Sequence, residues 1–215
     1  MFEGYSPETI DFLWGIRMNN DRDWFAQHKS EYIHYLYEPT KALGQDLFQP
    51  FLDKPGNILK VGRIYRDARL HHPLPYKENL WICIRQDSEW WAENPCLFFE
   101  IRPDGVTYGF SLWHPRVSSM EAFRQHITAQ PQEFLDLLAQ TEAVTGVPVT
   151  AQLYKLPKPT DDPRLEPYFA WKTDIDCTRT EEITPAVFGP ELGQRVLKMF
   201  QDLIPLYDYF HRFRP

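Results

Sequence analysis

Glycine is scarce in this chain, 10 of 215 residues against roughly 7% in an average protein, which excludes a collagen-like repeat. Cysteine is scarcer: Cys83, Cys96 and Cys177 are an odd number with no Cys-x-x-Cys spacing. That argues against a disulfide framework or a zinc ribbon and for reduced thiols in a cytoplasm. No run approaches about eighteen uncharged apolar residues, so no membrane span is expected. The opening MFEGYSPETIDF carries Glu3, Glu8 and Asp11 where a signal peptide needs a basic start and an apolar run; a cytoplasmic location is expected. Positive charge is in deficit, with 23 Lys and Arg against 30 Asp and Glu, a net charge of -7. General affinity for nucleic acid or an anionic membrane is therefore disfavoured. P-loop, Gly-x-Gly-x-x-Gly, Gly-x-Ser-x-Gly and His-Glu-x-x-His motifs are all missing, which removes the familiar nucleotide-binding, hydrolase and metalloprotease routes.

What the chain has instead is aromatic residues and proline: 7 Trp, 11 Tyr, 15 Phe and 19 Pro. With 43% hydrophobic and 25% charged residues it has the balance of a soluble globular protein. Its length suits one domain over residues 1–215 with a core large enough to dispense with metal or disulfide staples.

Ser6-Pro7-Glu8 is a helix start, with Ser6 at the cap and Pro7 at the first helical position. Ile10, Leu13, Trp14 and Arg17 share one face, and the helix is expected to stop at Asn19-Asn20. Asp21 caps a second helix, on which Trp24, His28 and Tyr32 form a stripe at i, i+4 and i+8. Pro39 is expected to break or restart it, with Leu43, Leu47 and Phe48 continuing to about Leu52. The period then becomes strand-like over Ile58–Arg66 and Asn79–Arg85. Cys96–Arg102 and Val106–Trp113 read as a hairpin around Pro103-Asp104-Gly105. Ser118 has capping-box spacing to Glu121 before Met120, Phe123 and Ile127. Pro131 opens a further helix through Phe134, Leu137 and Leu138, and Val147–Lys155 reads as a strand. Five prolines mark an irregular segment over about 148–167. A last helix from Pro190 carries Leu192, Val196, Leu197 and Phe200 until Pro205 interrupts it. Helices, a central mainly antiparallel sheet, then helices make an α+β domain.

Chemistry concentrates between Lys60 and Lys77, KVGRIYRDARLHHPLPYK. Five basic residues (Lys60, Arg63, Arg66, Arg69, Lys77) face one acid, Asp67, a local charge of +4 that leaves -11 for the remainder. Such a concentration calls for internal carboxylates or a bound anion. A continuing strand would put Arg63, Tyr65, Asp67 and Arg69 on one face and Arg66 on the other; a break near Asp67 would let the arginines converge. Arginine offers a planar fork for phosphate or carboxylate, Asp67 is placed to hold one fork, and Tyr76 and Lys77 add a hydroxyl and a point charge. The structural alternative is an ion-pair network with acids such as Asp23 or Glu100.

RIYRDAR followed by PYK resembles the signature of a mainly bacterial family catalogued as domain of unknown function 2461. FEGYSPETIDFL and NNDRDWFAQHKSEY are similar to that family's opening. The resemblance is strongest over residues 1–80 and implicates Asn19, Asn20, Trp24, Phe25, Lys29 and Tyr32 beside the arginines. It implies no settled activity and no cofactor. Leu70 departs from the usual Phe, and His71-His72-Pro73-Leu74 replaces a spacer that often holds Asp-Lys.

The expected ligand-binding set is Arg63, Arg66, Asp67, Arg69, Tyr76, Lys77, Asn19, Asn20 and Trp24, for a small phosphate- or carboxylate-bearing molecule. Asp67 and Tyr76 are the candidates for proton transfer if the site is catalytic. The alternative is a non-enzymatic interaction domain whose arginines tie helices to sheet. Adjacent His71 and His72 point oppositely on an extended chain and lack partners at ligand spacing, so no metal is expected. Cys83 reads as a buried thiol in a strand, in preference to a nucleophile that would need a paired His. Trp90-Trp91 and the Tyr207, Tyr209, Phe210 cluster read as core or as a partner surface.

Overall fold

Helix α1 (Pro7–Met18) starts where Ser6 and Pro7 place it. The Thr9 hydroxyl oxygen accepts the Ser6 N–H at 3.2 Å. The buried stripe is Thr9, Phe12, Leu13 and Ile16, so the expected face is corrected by a rotation. Trp14 is exposed, and Arg17 lies 4.9 Å over its ring. Asp21 caps α2 (Arg22–Glu31), accepting the N–H groups of Asp23 and Trp24 at 2.9 Å. The computed structural model describes residues 1–67, 69 and 73–213.

Pro39 does not break the helix that follows. α2 runs through a π-helical stretch, Tyr32–Tyr37, into α3 (Glu38–Phe48). A proline at position 39 removes the N–H that would bond the Tyr35 carbonyl and crowds it. The wider π turn relieves the crowding, and the Thr9 hydroxyl donates to the Tyr35 carbonyl at 2.6 Å. One orphaned acceptor thereby becomes a tie between α1 and the π turn.

The strands are β1 (Asn57–Val61), β2 (Leu80–Gln86), β3 (Cys96–Arg102), β4 (Gly105–Leu112), β5 (Thr150–Leu153) and β6 (Trp171–Glu182). They form an antiparallel sheet in the order β1-β2-β3-β4-β6-β5. The hairpin alternation holds: Leu97, Phe99, Ile101, Val106, Tyr108 and Phe110 are fully buried. β1 stops at Val61, five residues short of the expected Arg66. The remaining helices are α4 (Val117–Ala129), α5 (Pro131–Thr145), α6 (Glu166–Phe169) and α7 (Glu191–Phe210). α4 begins after Arg116, ahead of Ser118, so no Ser118 cap forms. α7 continues through Pro205. Pro205 and Gln201, whose carbonyl loses its donor, are both exposed, so water can take the missing bond. Tyr207, Tyr209 and Phe210 are buried, which places that cluster in the core. Among the described residues, no helix is long and apolar enough to cross a membrane.

β6, absent from the expected elements, is the longest strand. Against β5, Thr150 pairs with Asp176 and Gln152 with Thr173, so β6 carries one extra residue there. Asp174 absorbs it with φ 51°, a left-handed conformation that Asp tolerates at a bulge. Burial, with Asp174 nearby, raises the pKa of Asp176 against the lowering effect of its Ser111 hydrogen bond. The ionised form is thus disfavoured in the fold, and stability falls as pH rises through the raised value. Asp176→Asn is expected to raise the urea midpoint at neutral pH, with the gain shrinking as acid protonates the wild-type carboxyl.

The chain divides into two compact units: Met1–Ile84 with Phe98–Tyr108 and Thr180–Lys198, and Arg85–Leu97 with Gly109–Arg179 and Met199–Pro215. In the first, Tyr5 stacks on Phe99 at 6.1 Å and donates or accepts a hydrogen bond with Thr40 at 2.8 Å. In the second, Phe123 contacts Phe134, Trp171, Phe210 and Phe213.

Candidate functional site

After β1 the chain makes one isolated antiparallel bridge, Tyr65 with Tyr76. The Arg66 N–H donates to the Pro75 carbonyl at 2.8 Å and the Lys77 N–H to the Ile64 carbonyl at 2.7 Å. Arg66 and Lys77 are therefore diagonal neighbours across the bridge. His71 and His72, and with them the expected metal question and half of the altered spacer, lie outside the described residues, as does Leu70.

Aromatic packing holds this bridge to the helices. Phe25 stacks on Tyr76 at 4.2 Å and meets Tyr65 at 5.7 Å and Tyr32 at 5.6 Å. Tyr76 is 5% exposed. Asn20 completes the attachment: its Nδ2 donates to the Tyr76 carbonyl and its Oδ1 accepts the Tyr76 N–H, both at 3.0 Å. A side-chain amide here imitates the backbone of a neighbouring strand. Asn19 is exposed, and its Nδ2 donates to the Gly15 carbonyl at the end of α1 at 3.0 Å. Trp24 packs α2 on α1: it stacks on His28 at 4.0 Å and covers Gly15, where an added Cβ would lie 2.6 Å from its ring. His28 Nδ1 lies 2.8 Å from the Trp24 carbonyl, so that nitrogen carries the proton and donates.

The three arginines have three environments. Arg63 is exposed and makes no ion pair among the described residues. Arg66, 25% exposed, donates from Nε to the Tyr76 carbonyl at 2.6 Å and lies 3.8 Å from Glu78. Arg69 is almost fully exposed and grips Asp67 with two guanidinium nitrogens, at 2.9 and 2.6 Å; Asp67 also accepts the Arg69 N–H at 3.0 Å. This pairing raises the Arg69 pKa.

The acid serving the network is Glu78, in place of the expected Asp23 or Glu100. Arg17 donates to it from Nε at 2.8 Å and also lies 3.8 Å from Asp104. Glu100 instead bonds Asn79 and Arg102. Arg17, Glu78 and Asp104 were not singled out as site residues. Glu78 directly follows Pro-Tyr-Lys, the only signal that could have found it. Lys77, half-buried, points its ammonium over Trp81 at 5.7 Å and has no carboxylate partner among the described residues. Burial, and secondarily Arg66, lowers its pKa. Tyr76 is shifted the other way, chiefly by burial, so its phenol stays protonated. Asp67, the other candidate for proton transfer, is engaged by Arg69.

This arrangement sets Arg66 and Lys77 as neighbours on an α+β fold, anchored by an Asn–backbone clamp and an aromatic wall. A family model described as "Conserved hypothetical protein (DUF2461)" matches residues 8–209. The chain belongs to that family, and the match runs well past residue 80. No curated protein matches it.

Proposed function

We propose that the Arg66–Lys77 face receives a small anion bearing phosphate or carboxylate, and that this is a cytoplasmic anion-binding protein. One observation supports the reading: Lys77 is held half-buried beside Arg66 with no carboxylate partner among the described residues. Two cations close together around a single carboxylate repel one another, and a bound anion would relieve both that repulsion and the cost of burying the ammonium. Exposed Arg63 and Arg69 extend the positive field around it.

Thermal melts against inorganic phosphate, pyrophosphate, AMP and citrate test this. At least one is expected to raise the Tm by roughly 5 °C when present at about a hundred times its Kd. Lys77→Met should abolish the shift while leaving the ligand-free melt close to wild type. Affinity should weaken as pH rises through a Lys77 pKa below the ordinary lysine range. A panel without any shift would sink the reading.

A second reading, an interaction domain in which the motif is structural, draws on the Arg66 bond to the Tyr76 carbonyl. It expects Arg66→Ala to lower stability and no anion to matter.

A further inference from the structure

We propose that a cleft of about 510 Å³ in the second unit, lined by residues including Asp87, Trp90, Asn94, Arg116 and Arg212, binds a neutral saccharide. Trp90 is the stacking platform and Asp87 the principal acceptor for sugar hydroxyls.

The loop between β2 and β3 places large apolar rings in water. Trp90 is 59% exposed and Trp91 52%, although tryptophan burial is among the larger apolar gains open to a fold. The backbone beneath them is held firmly. The Ser88 hydroxyl accepts the Trp90 N–H at 3.1 Å, and buried Asn94 donates to the Trp90 carbonyl at 2.8 Å. Arg85 donates to the Gln86 carbonyl at 2.8 Å and reaches that of Ser88 at 3.5 Å. A rigid loop that presents aromatic rings has its ordering cost met before any ligand arrives, which favours binding.

Charge decides the ligand class. Arg116 pairs with Glu93 and lies 5.0 Å over the Trp90 ring; Arg212 pairs with Glu133 at 2.5 Å. Asp87 is exposed and makes no ion pair among the described residues. Of the residues lining the cleft, Arg116 and Arg212 are each paired with a carboxylate from outside the lining and Asp87 is the one acid. Neither arginine is thus left unpaired for an anion, while the guanidinium over Trp90 repels a cationic ligand. A neutral molecule rich in hydroxyls fits both conditions. A carboxylate accepts from two adjacent hydroxyls, guanidinium N–H groups donate to others, and the C–H face of a pyranose lies flat on an indole. The volume falls within the range of small-ligand sites. Trp91 stacks on Trp113 at 5.7 Å, and Trp113 on His114 at 4.4 Å, which supplies a second platform for a longer oligosaccharide.

The test is a tryptophan-fluorescence and saturation-transfer NMR titration of the full chain. The probes are neutral trisaccharides of glucose, mannose, galactose, xylose and N-acetylglucosamine, with adenosine and inorganic phosphate for comparison. At least one trisaccharide is expected to bind. Trp90→Ala and Asp87→Ala should each weaken it by about tenfold or more without lowering the Tm. Three results would overturn the proposal: no trisaccharide bound up to about 10 mM, binding unchanged in both variants, or adenosine preferred over every saccharide.

Discussion

Gly109→Ala is expected to destabilise the fold by on the order of 4 kcal/mol or more. Gly109 lies inside β4 with φ +148°, and a Cβ built there would stand 2.1 Å from the Cys177 carbonyl oxygen and 2.8 Å from the Thr178 Cα. Both are backbone atoms of β6, so no side-chain rotation can clear them. The strand cannot shift either, because Phe110, the next residue, is fully buried. Backbone strain and a steric clash together cost on the order of 4 kcal/mol or more, a large part of the 5–15 kcal/mol typical of a whole protein. Far-UV circular dichroism and urea unfolding would show it. An alanine variant within about 1 kcal/mol of wild type would mean that the close approach of β4 to β6 has been misplaced.

The same strand pair shows where the sequence is legible and where it is not. β3 and β4 announce themselves because every second residue is a large apolar group, and the pleat puts all of those on one face. In β6 the apolar set is Trp171, Ile175 and Cys177, interleaved with Lys172, Asp174, Asp176 and Arg179, and a bulge shifts the register midway. Charges interleaved along this edge-proximal strand hide its period. Proline misleads for a related reason. At Pro39 the remedy is a π turn and a hydroxyl 26 residues away; at Pro205 it is an exposed position. Neither remedy is local in sequence.

At the site, composition located the cluster and chemistry named its parts, but neither could assign partners. Arg69 with Asp67 is a contact between near neighbours and was readable. Arg66 with Glu78 depends on the register of the bridge, and Arg17 with Glu78 on how α1 meets it, a relation separated by 61 residues. The motif's polar residues therefore divide into two tasks that spacing cannot separate: Asn20 and Arg66 position the Tyr65–Tyr76 bridge, while Arg63 and Lys77 have no acid partner among the described residues.

Asn20→Ala is the variant that measures the first task. The substitution removes both bonds to Tyr76, leaving a buried N–H without an acceptor and its carbonyl with Arg66 Nε as remaining donor. A loss of about 2–3 kcal/mol is expected, or roughly 5–10 °C in Tm for a chain of this size. Asn19→Ala, which deletes one exposed capping bond, should cost under about 1 kcal/mol. Arg66→Ala with Asn20→Ala should cost more than the sum of the two by about 1 kcal/mol, because only the double variant leaves the Tyr76 carbonyl with neither donor. Equal effects at positions 19 and 20 would remove the clamp from the account. The variant also separates scaffold from ligand contact. Asn20 touches the residue before Lys77, so its loss should loosen phosphate binding while a Tm shift persists, whereas Lys77→Met should lose the shift and keep the stability. If both variants lost both properties together, anchoring and binding would be one function, and the two tasks assigned to this motif could not be told apart.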